Sequence, residues 1–153
     1  MKLSTRGRYA LRIMIDLADN APAGQPRLVK LKDVAERQGI SKDYMVHLIT
    51  ALKTAGLVRS SSGRKGGYAL AAPPDGISVL DIVEAAIGTL GILDCLKDDS
   101  LCPRSKECRS RRVWHVVNRE IRETLAGITL EQITEPGCDL DRLFPGETAP
   151  GNA

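Results

Sequence analysis

Apolar residues recur at helical spacing through the N-terminal third of the chain, and the period shifts near Leu57 to one that suits short strands. From Ser4 to about Asp19, the positions Ala10, Ile13, Met14, Leu17 and Ala18 line one side of a helix, interrupted by Arg12 and Asp16. The stretch from Asn20 to Pro26 holds two prolines and one glycine and ends it. A second helix is predicted from about Lys32 to Gln38, burying Val34 and Ala35 and stopping at Gly39, a residue suited to a left-handed backbone. Ser41 can then cap a third helix, from Lys42 to about Ala55, whose inner stripe is Met45, Leu48, Ile49 and Leu52. Leu57–Ser60 and Tyr68–Ala71 read as strands of a hairpin around the polar turn Ser61–Gly67. Beyond Pro73 and Pro74, Ser78 and Asp81 form a capping pair for a fourth helix with Val79, Ile82, Val83 and Ala86 inside, closed by Gly88. A long helix is predicted from about Glu107 to Ala126, with Trp114, Val117, Ile121 and Leu125 on one face and Arg119, Glu120, Arg122 and Glu123 on the others.

The expected fold is therefore mainly α with a small β-hairpin: a winged helix-turn-helix followed by a long dimerisation helix. Three regions follow: residues 1–74 as the DNA-binding domain, 75–134 as a cysteine loop and dimerisation helix, and 135–153 as a loosely ordered tail rich in proline and glycine.

Helices joined only by Gly39, Ile40 and Ser41 must cross steeply, and the small Ala35 permits their close approach. The outward side of the third helix offers Ser41, Lys42, Tyr44, Val46, His47 and Thr50 to a DNA major groove. The hairpin then reads as a wing. Its tip, with Ser62, Gly63, Arg64 and Lys65, joins two cations to glycines that let backbone amides approach phosphate, and Arg59 adds charge at the base. Charge distribution strengthens this reading. Residues 1–72 carry 13 Lys and Arg against 5 Asp and Glu, and residues 73–153 carry 9 against 14, so a net charge of +3 conceals a strongly basic first half. That half expects a polyanionic partner. A long amphipathic helix expects a partner too, and a homodimer would match a two-fold operator.

Cys95, Cys102 and Cys108 lie in one short basic stretch, separated by six and five residues. The most apolar N-terminal run, Tyr9–Ala18, is too charged for a signal core or a membrane span, so the expectation is a cytoplasmic protein with no membrane contact and reduced thiols. Reduced thiols at this density point to a metal. The intervals lack the paired C-x-x-C of most zinc sites and suit the wider reach of an iron–sulfur cluster, of either the 2Fe-2S or the 4Fe-4S type. Lys97, Arg104, Lys106, Arg109, Arg111 and Arg112 favour thiolate, as does the place of Cys108 near a helix start. A fourth ligand could be a carboxylate, His115, another thiol or a small molecule. On a helix, His115 stands about 10 Å beyond Cys108, which makes it a surface or interface residue instead. No Ser-His-Asp set, paired-carboxylate cleft or nucleotide-binding glycine motif indicates an enzyme. The rival reading is a cluster-free repressor whose cysteines respond to oxidation, bind zinc or act through a protein partner.

The opening from Met1 to Ala10, the wing sequence from Gly63 to Tyr68 and the three cysteines together resemble the Rrf-type transcriptional regulators, the family of IscR, NsrR, RirA and CymR. The likeness extends to about Thr134. It implies a winged-helix homodimer, a DNA operator and an iron–sulfur cluster on Cys95, Cys102 and Cys108. The run from Cys102 to Cys108 looks like the cluster loop of that family. Arg111 stands where the IscR type has a histidine ligand, Arg8 where the NsrR type has an acidic one, and Val46 where IscR has a glutamate that influences sequence choice.

Overall fold

A computed structural model describes residues 4–20 and 27–138. Its order is α1 (Thr5–Asp19), α2 (Leu31–Gln38), α3 (Lys42–Thr54), β1 (Val58–Ser61), β2 (Gly67–Leu70), α4 (Val79–Ile87), α5 (Asp94–Lys97), α6 (Arg109–Ala126) and α7 (Leu130–Thr134). Ser4 caps α1 by accepting from the backbone N–H of Arg6. Gly39 ends α2 at φ 63°, ψ 35°, and Ser41 opens α3 by accepting from the N–H of Tyr44, so the turn between the two helices is fixed by local chemistry. The strands sit one residue away from their predicted ends, pairing antiparallel with Val58 opposite Leu70. Most of the predicted tail, and the segment 21–26, lie outside the described residues.

One core runs through the whole arrangement. Ala10, Ile13, Met14 and Leu17 of α1 meet Val34, Met45, Leu48 and Leu52 of the helix-turn-helix, and the same cluster includes Ile77, Ile82, Ala86 and Leu130. Packing therefore continues across the boundary drawn at residue 74. The α7 turn was not apparent from hydrophobic period because it is only five residues long, yet Leu130 is fully buried. Its signal was a capping box, with Thr129 and Gln132 satisfying each other's backbone N–H groups. Backbone bonds from Val79 to Ile128 (2.9 Å) and from Leu130 to Ile77 (2.8 Å) pin this turn beside the start of α4.

The charged positions that interrupt α1 serve a purpose that periodicity cannot reveal. Asp16 is only 4% exposed and accepts from Arg37 Nε (2.9 Å), Arg37 Nη2 (2.6 Å) and Gln38 Nε2 (2.9 Å). Arg12 donates to the carbonyl of Gln38 at 2.7 Å, satisfying an acceptor at the end of α2. Burial pushes the Asp16 carboxyl up, but hydrogen bonds from Arg37 and Gln38 and the Arg37 charge outweigh it and hold the group below the ordinary value of 3.8. A depressed folded-state value means that this contribution is complete above the unfolded value and lost as pH falls through the folded one. Arg37→Ala is expected to destabilise the protein by about 2–3 kcal/mol at pH 7, at the low end for breaking a buried pair. The low end applies because the Arg37 side chain keeps 40% of its exposure. Burial, the largest influence on Asp16, then outweighs the remaining Gln38 hydrogen bond, so the acid-side loss of stability should begin at higher pH in the variant. Urea unfolding across pH 3–7 reads both effects, and coincident wild-type and variant curves would refute the assignment.

Candidate nucleic-acid interface and cysteine loop

The helix-turn-helix presents α3 with Ser41, Lys42, Val46, His47 and Thr50 exposed. Tyr44, predicted to reach bases, is half-buried, and its ring packs edge-on against Tyr9 with centroids 5.9 Å apart. Much of that side chain thus joins α3 to α1. Thr50 Oγ1 donates to the Val46 carbonyl at 2.7 Å, so its hydroxyl proton is engaged within the helix. On the wing, Arg59, Ser62, Gly63, Arg64 and Lys65 are all exposed. Arg59 Nε donates to the Leu70 carbonyl across the hairpin at 3.2 Å, which aims its guanidinium along the sheet.

The wing is braced by an interaction that local sequence reading missed. Val29 and Tyr68 exchange two backbone hydrogen bonds, each 2.8 Å, adding a one-residue third strand to the hairpin. Gly67 is required there, since a Cβ would fall 2.7 Å from the Val29 carbonyl oxygen. The wing's orientation therefore depends on the segment between α1 and α2.

The loop from Gly88 to Cys108 joins α4 to α6 and carries the three cysteines, each half-buried. Cys95 lies in α5, Cys102 follows a short 3-10 turn at Asp99–Leu101, and Cys108 is the N-cap of α6. The Cys108 sulfur lies 3.2 Å from Ser110 Oγ and accepts from the Arg111 N–H at 3.4 Å. The Ser110 contact foremost, then backbone N–H donation and the Arg111 charge, hold this thiol below its ordinary value of 9.0. Cys138 is exposed beyond α7, away from this loop in sequence.

Three residues on one side of α6 stitch the loop down. Arg111 Nε donates to the Cys95 carbonyl at 3.1 Å while its other arm pairs with Asp99. Asn118 Oδ1 accepts from the Ile92 N–H at 3.0 Å. Arg122 pairs with Glu84 of α4 and donates to the Leu90 carbonyl, and the Glu84 carboxylate also accepts from the Leu90 N–H at 2.6 Å. The other side of α6 is bare, apolar from Val113 to Val117 and then charged at the exposed Glu120. Val113 is 60% exposed, Val116 49%, Trp114 44% and Val117 38%, and no residue of this 18-residue helix is buried. Of the predicted stripe, Trp114 and Val117 belong to this face, whereas Ile121 and Leu125 are half-buried; Val113 and Val116 were missed. Their signal was present in the run Val113–Val117, but the sequence did not reveal which side the loop would occupy.

Among the described residues, no three His, Cys, Asp or Glu side chains are arranged to hold a metal ion. The donor set is nevertheless the right chemistry for an iron–sulfur cluster: thiols, partly shielded, in a cationic setting. No helix among the described residues is long and apolar enough to cross a membrane.

The family model described as Rrf2, iron-dependent transcriptional regulator, matches residues 3–136. The chain belongs to the Rrf2 family. It is accordingly a DNA-binding transcriptional regulator with a winged helix, and its relatives are regulators, not enzymes. The protein rrf2 of Nitratidesulfovibrio vulgaris is 36% identical over 133 residues, covering 87% of each chain. Among solved structures, CymR of Bacillus subtilis, described as the global cysteine regulator, aligns with TM-score 0.70 and 34% identity over 88% of this chain and 96% of its own. IscR of T. potens aligns with TM-score 0.69 and 35% identity over 99% of this chain and 94% of its own. This Rrf2 chain is thus similar to regulators bearing three different names.

Proposed function

We propose that the protein is a homodimeric, cysteine-gated transcriptional repressor whose operator binding responds to an iron–sulfur cluster held by Cys95, Cys102 and Cys108, reporting iron, redox state or nitric oxide. The observation that carries this reading is the position of the three cysteines, in the one loop that α6 holds against α4. The cluster, when bound, supplies a responsive occupant whose presence depends on iron and oxidants. The rest is done by the chain. Drawing the three sulfurs together would shift the segment that Arg111 ties to α6 through the Cys95 carbonyl and Asp99. The change then reaches α6 and α4 through Asn118, Arg122 and Glu84, and α4 packs directly against α1 and α3 of the reading head. Differential stability of the two loop arrangements would shift the spacing of paired recognition helices. Ser41, Lys42, Tyr44 and His47 are assigned to the groove, and Arg59, Ser62, Gly63, Arg64 and Lys65 to phosphates and the minor groove. The exposed face of α6, with Trp114 and Val117 and flanked by Ile121 and Leu125, is assigned to the dimer.

A second reading has support of its own. The lowered thiol of Cys108 suits direct oxidation, and CymR of Staphylococcus aureus, a similar solved structure, is described in an oxidized form. Iron and acid-labile sulfide analysis of anaerobically isolated protein separates the two. On the cluster reading, the protein is coloured, and Cys95→Ala, Cys102→Ala and Cys108→Ala each lose most of the iron and change operator affinity at least tenfold. A colourless, iron-free protein from iron-replete cells refutes it and favours thiol oxidation. Only Cys108→Ala would then alter the response to peroxide.

A further inference from the structure

The mouth of α6 contains a cleft that neither the reading head nor the apolar face uses. Its volume is about 310 Å³ and its lining is Ser105, Lys106, Cys108, Arg111, Arg112 and His115, with no carboxylate among them. Arg111 is paired with Asp99, whereas Lys106 and Arg112 are exposed and form no ion pair among the described residues. The local electrostatics are unusual for a helix start. The first turn of this 18-residue helix has no acidic residue and instead carries Arg109, Arg111 and Arg112, at the end where the backbone already presents positive partial charge. An anion would relieve that repulsion.

Ser105 supplies an independent indication. It is 8% exposed, one of two buried polar or charged residues among those described, and the other, Asp16, is fully engaged. The Ser105 backbone N–H is used, bonding the Cys102 carbonyl at 3.0 Å, but its hydroxyl has no hydrogen-bond partner among the described residues. No fully enclosed side-chain N or O lacks a partner among those residues. The hydroxyl is therefore open to solvent, and Ser105 lines the cleft.

We propose that this cleft is a binding site for a small oxyanion, either inorganic or the carboxylate of a small metabolite, held by the Ser105 hydroxyl, the Arg112 guanidinium and the Lys106 ammonium. A hydroxyl and a guanidinium offer the directed donors that such a ligand needs, and the lysine adds charge without fixed geometry. The cleft shares Cys108 and Arg111 with the cysteine loop, so the site belongs to the cluster-free arrangement of that loop, and iron-free protein is used to test it.

Full-length, iron-free protein with reduced thiols would be titrated calorimetrically with sodium phosphate and, separately, with sodium succinate, at ionic strength held constant with sodium chloride. Saturable one-to-one binding of either probe is expected, weakened at least fivefold in both Ser105→Ala and Arg112→Gln. Phosphate alone would identify an inorganic ligand, and succinate alone a carboxylate metabolite. Arg112 is exposed, so Arg112→Gln should retain the wild-type melting curve and remain informative should Ser105→Ala unfold. Absence of saturation with both probes overturns the proposal. So does binding that is equal in wild type and Arg112→Gln, which would mean an adventitious ion only.

Discussion

A Val117→Glu protein is expected to fold normally, run as a monomer and bind operator DNA about a hundredfold to a thousandfold more weakly than wild type. Val117 lies outside the buried core, on the same face as the exposed Val113 and Trp114, so the substitution disturbs little packing within the subunit. At a two-fold interface the change is made on both copies, and each carboxylate brought into an apolar seam costs several kcal/mol unless it finds a partner. The loss of DNA affinity follows from geometry. Once one head of a dimer is bound, the other faces its half-site at roughly millimolar effective concentration, an advantage that a monomer lacks. Light scattering reads the mass and operator titration reads the affinity. A Val117→Glu dimer with unchanged affinity would refute the assignment of this face.

The second large effect is expected at the wing. Arg64→Ala/Lys65→Ala should weaken binding to specific and unrelated duplexes alike, because these exposed tip residues are assigned to backbone and not to base edges. Each cation that no longer neutralises a phosphate takes about 0.9 from the slope of log affinity against log salt, so the pair should reduce it by about 1.8. At physiological salt that corresponds to roughly a thirtyfold weakening for the double variant. Measuring affinity at several salt concentrations checks slope and magnitude together. An unchanged slope would place the wing away from the duplex.

These expectations rest on unequal parts of sequence and structure. The helix-turn-helix was legible because each of its determinants is local: Ser41 caps within three residues, Gly39 turns the chain, and Met45, Leu48 and Leu52 repeat at helical spacing. The same locality made the Ser78–Asp81 capping box visible. Tyr44 shows the limit of such reading, since its exposure was inferred from its own helix alone. Whether its ring faces groove or protein depends on Tyr9, thirty-five positions earlier. Asp16 is similar, an interruption of an apolar stripe until Arg37 arrives from another helix.

Arg111 is the most instructive case. In sequence it is one of several basic residues beside the cysteines; in three dimensions it holds Cys95 and Asp99 to the start of α6. The amino-acid order alone determined the four N-terminal helices, the hairpin and the long α6, with the basic half, the turn chemistry and the three thiols, since propensity, capping and charge are carried by residues and their near neighbours. Only tertiary packing decided that Arg111, Asn118 and Arg122 face the loop while Val113, Trp114, Val116 and Val117 face outward, that Val29 braces the wing, and that Ser105 borders a cationic cleft. Those outcomes depend on which distant segments compete for each face of a helix, and near-neighbour pattern carries no record of that competition.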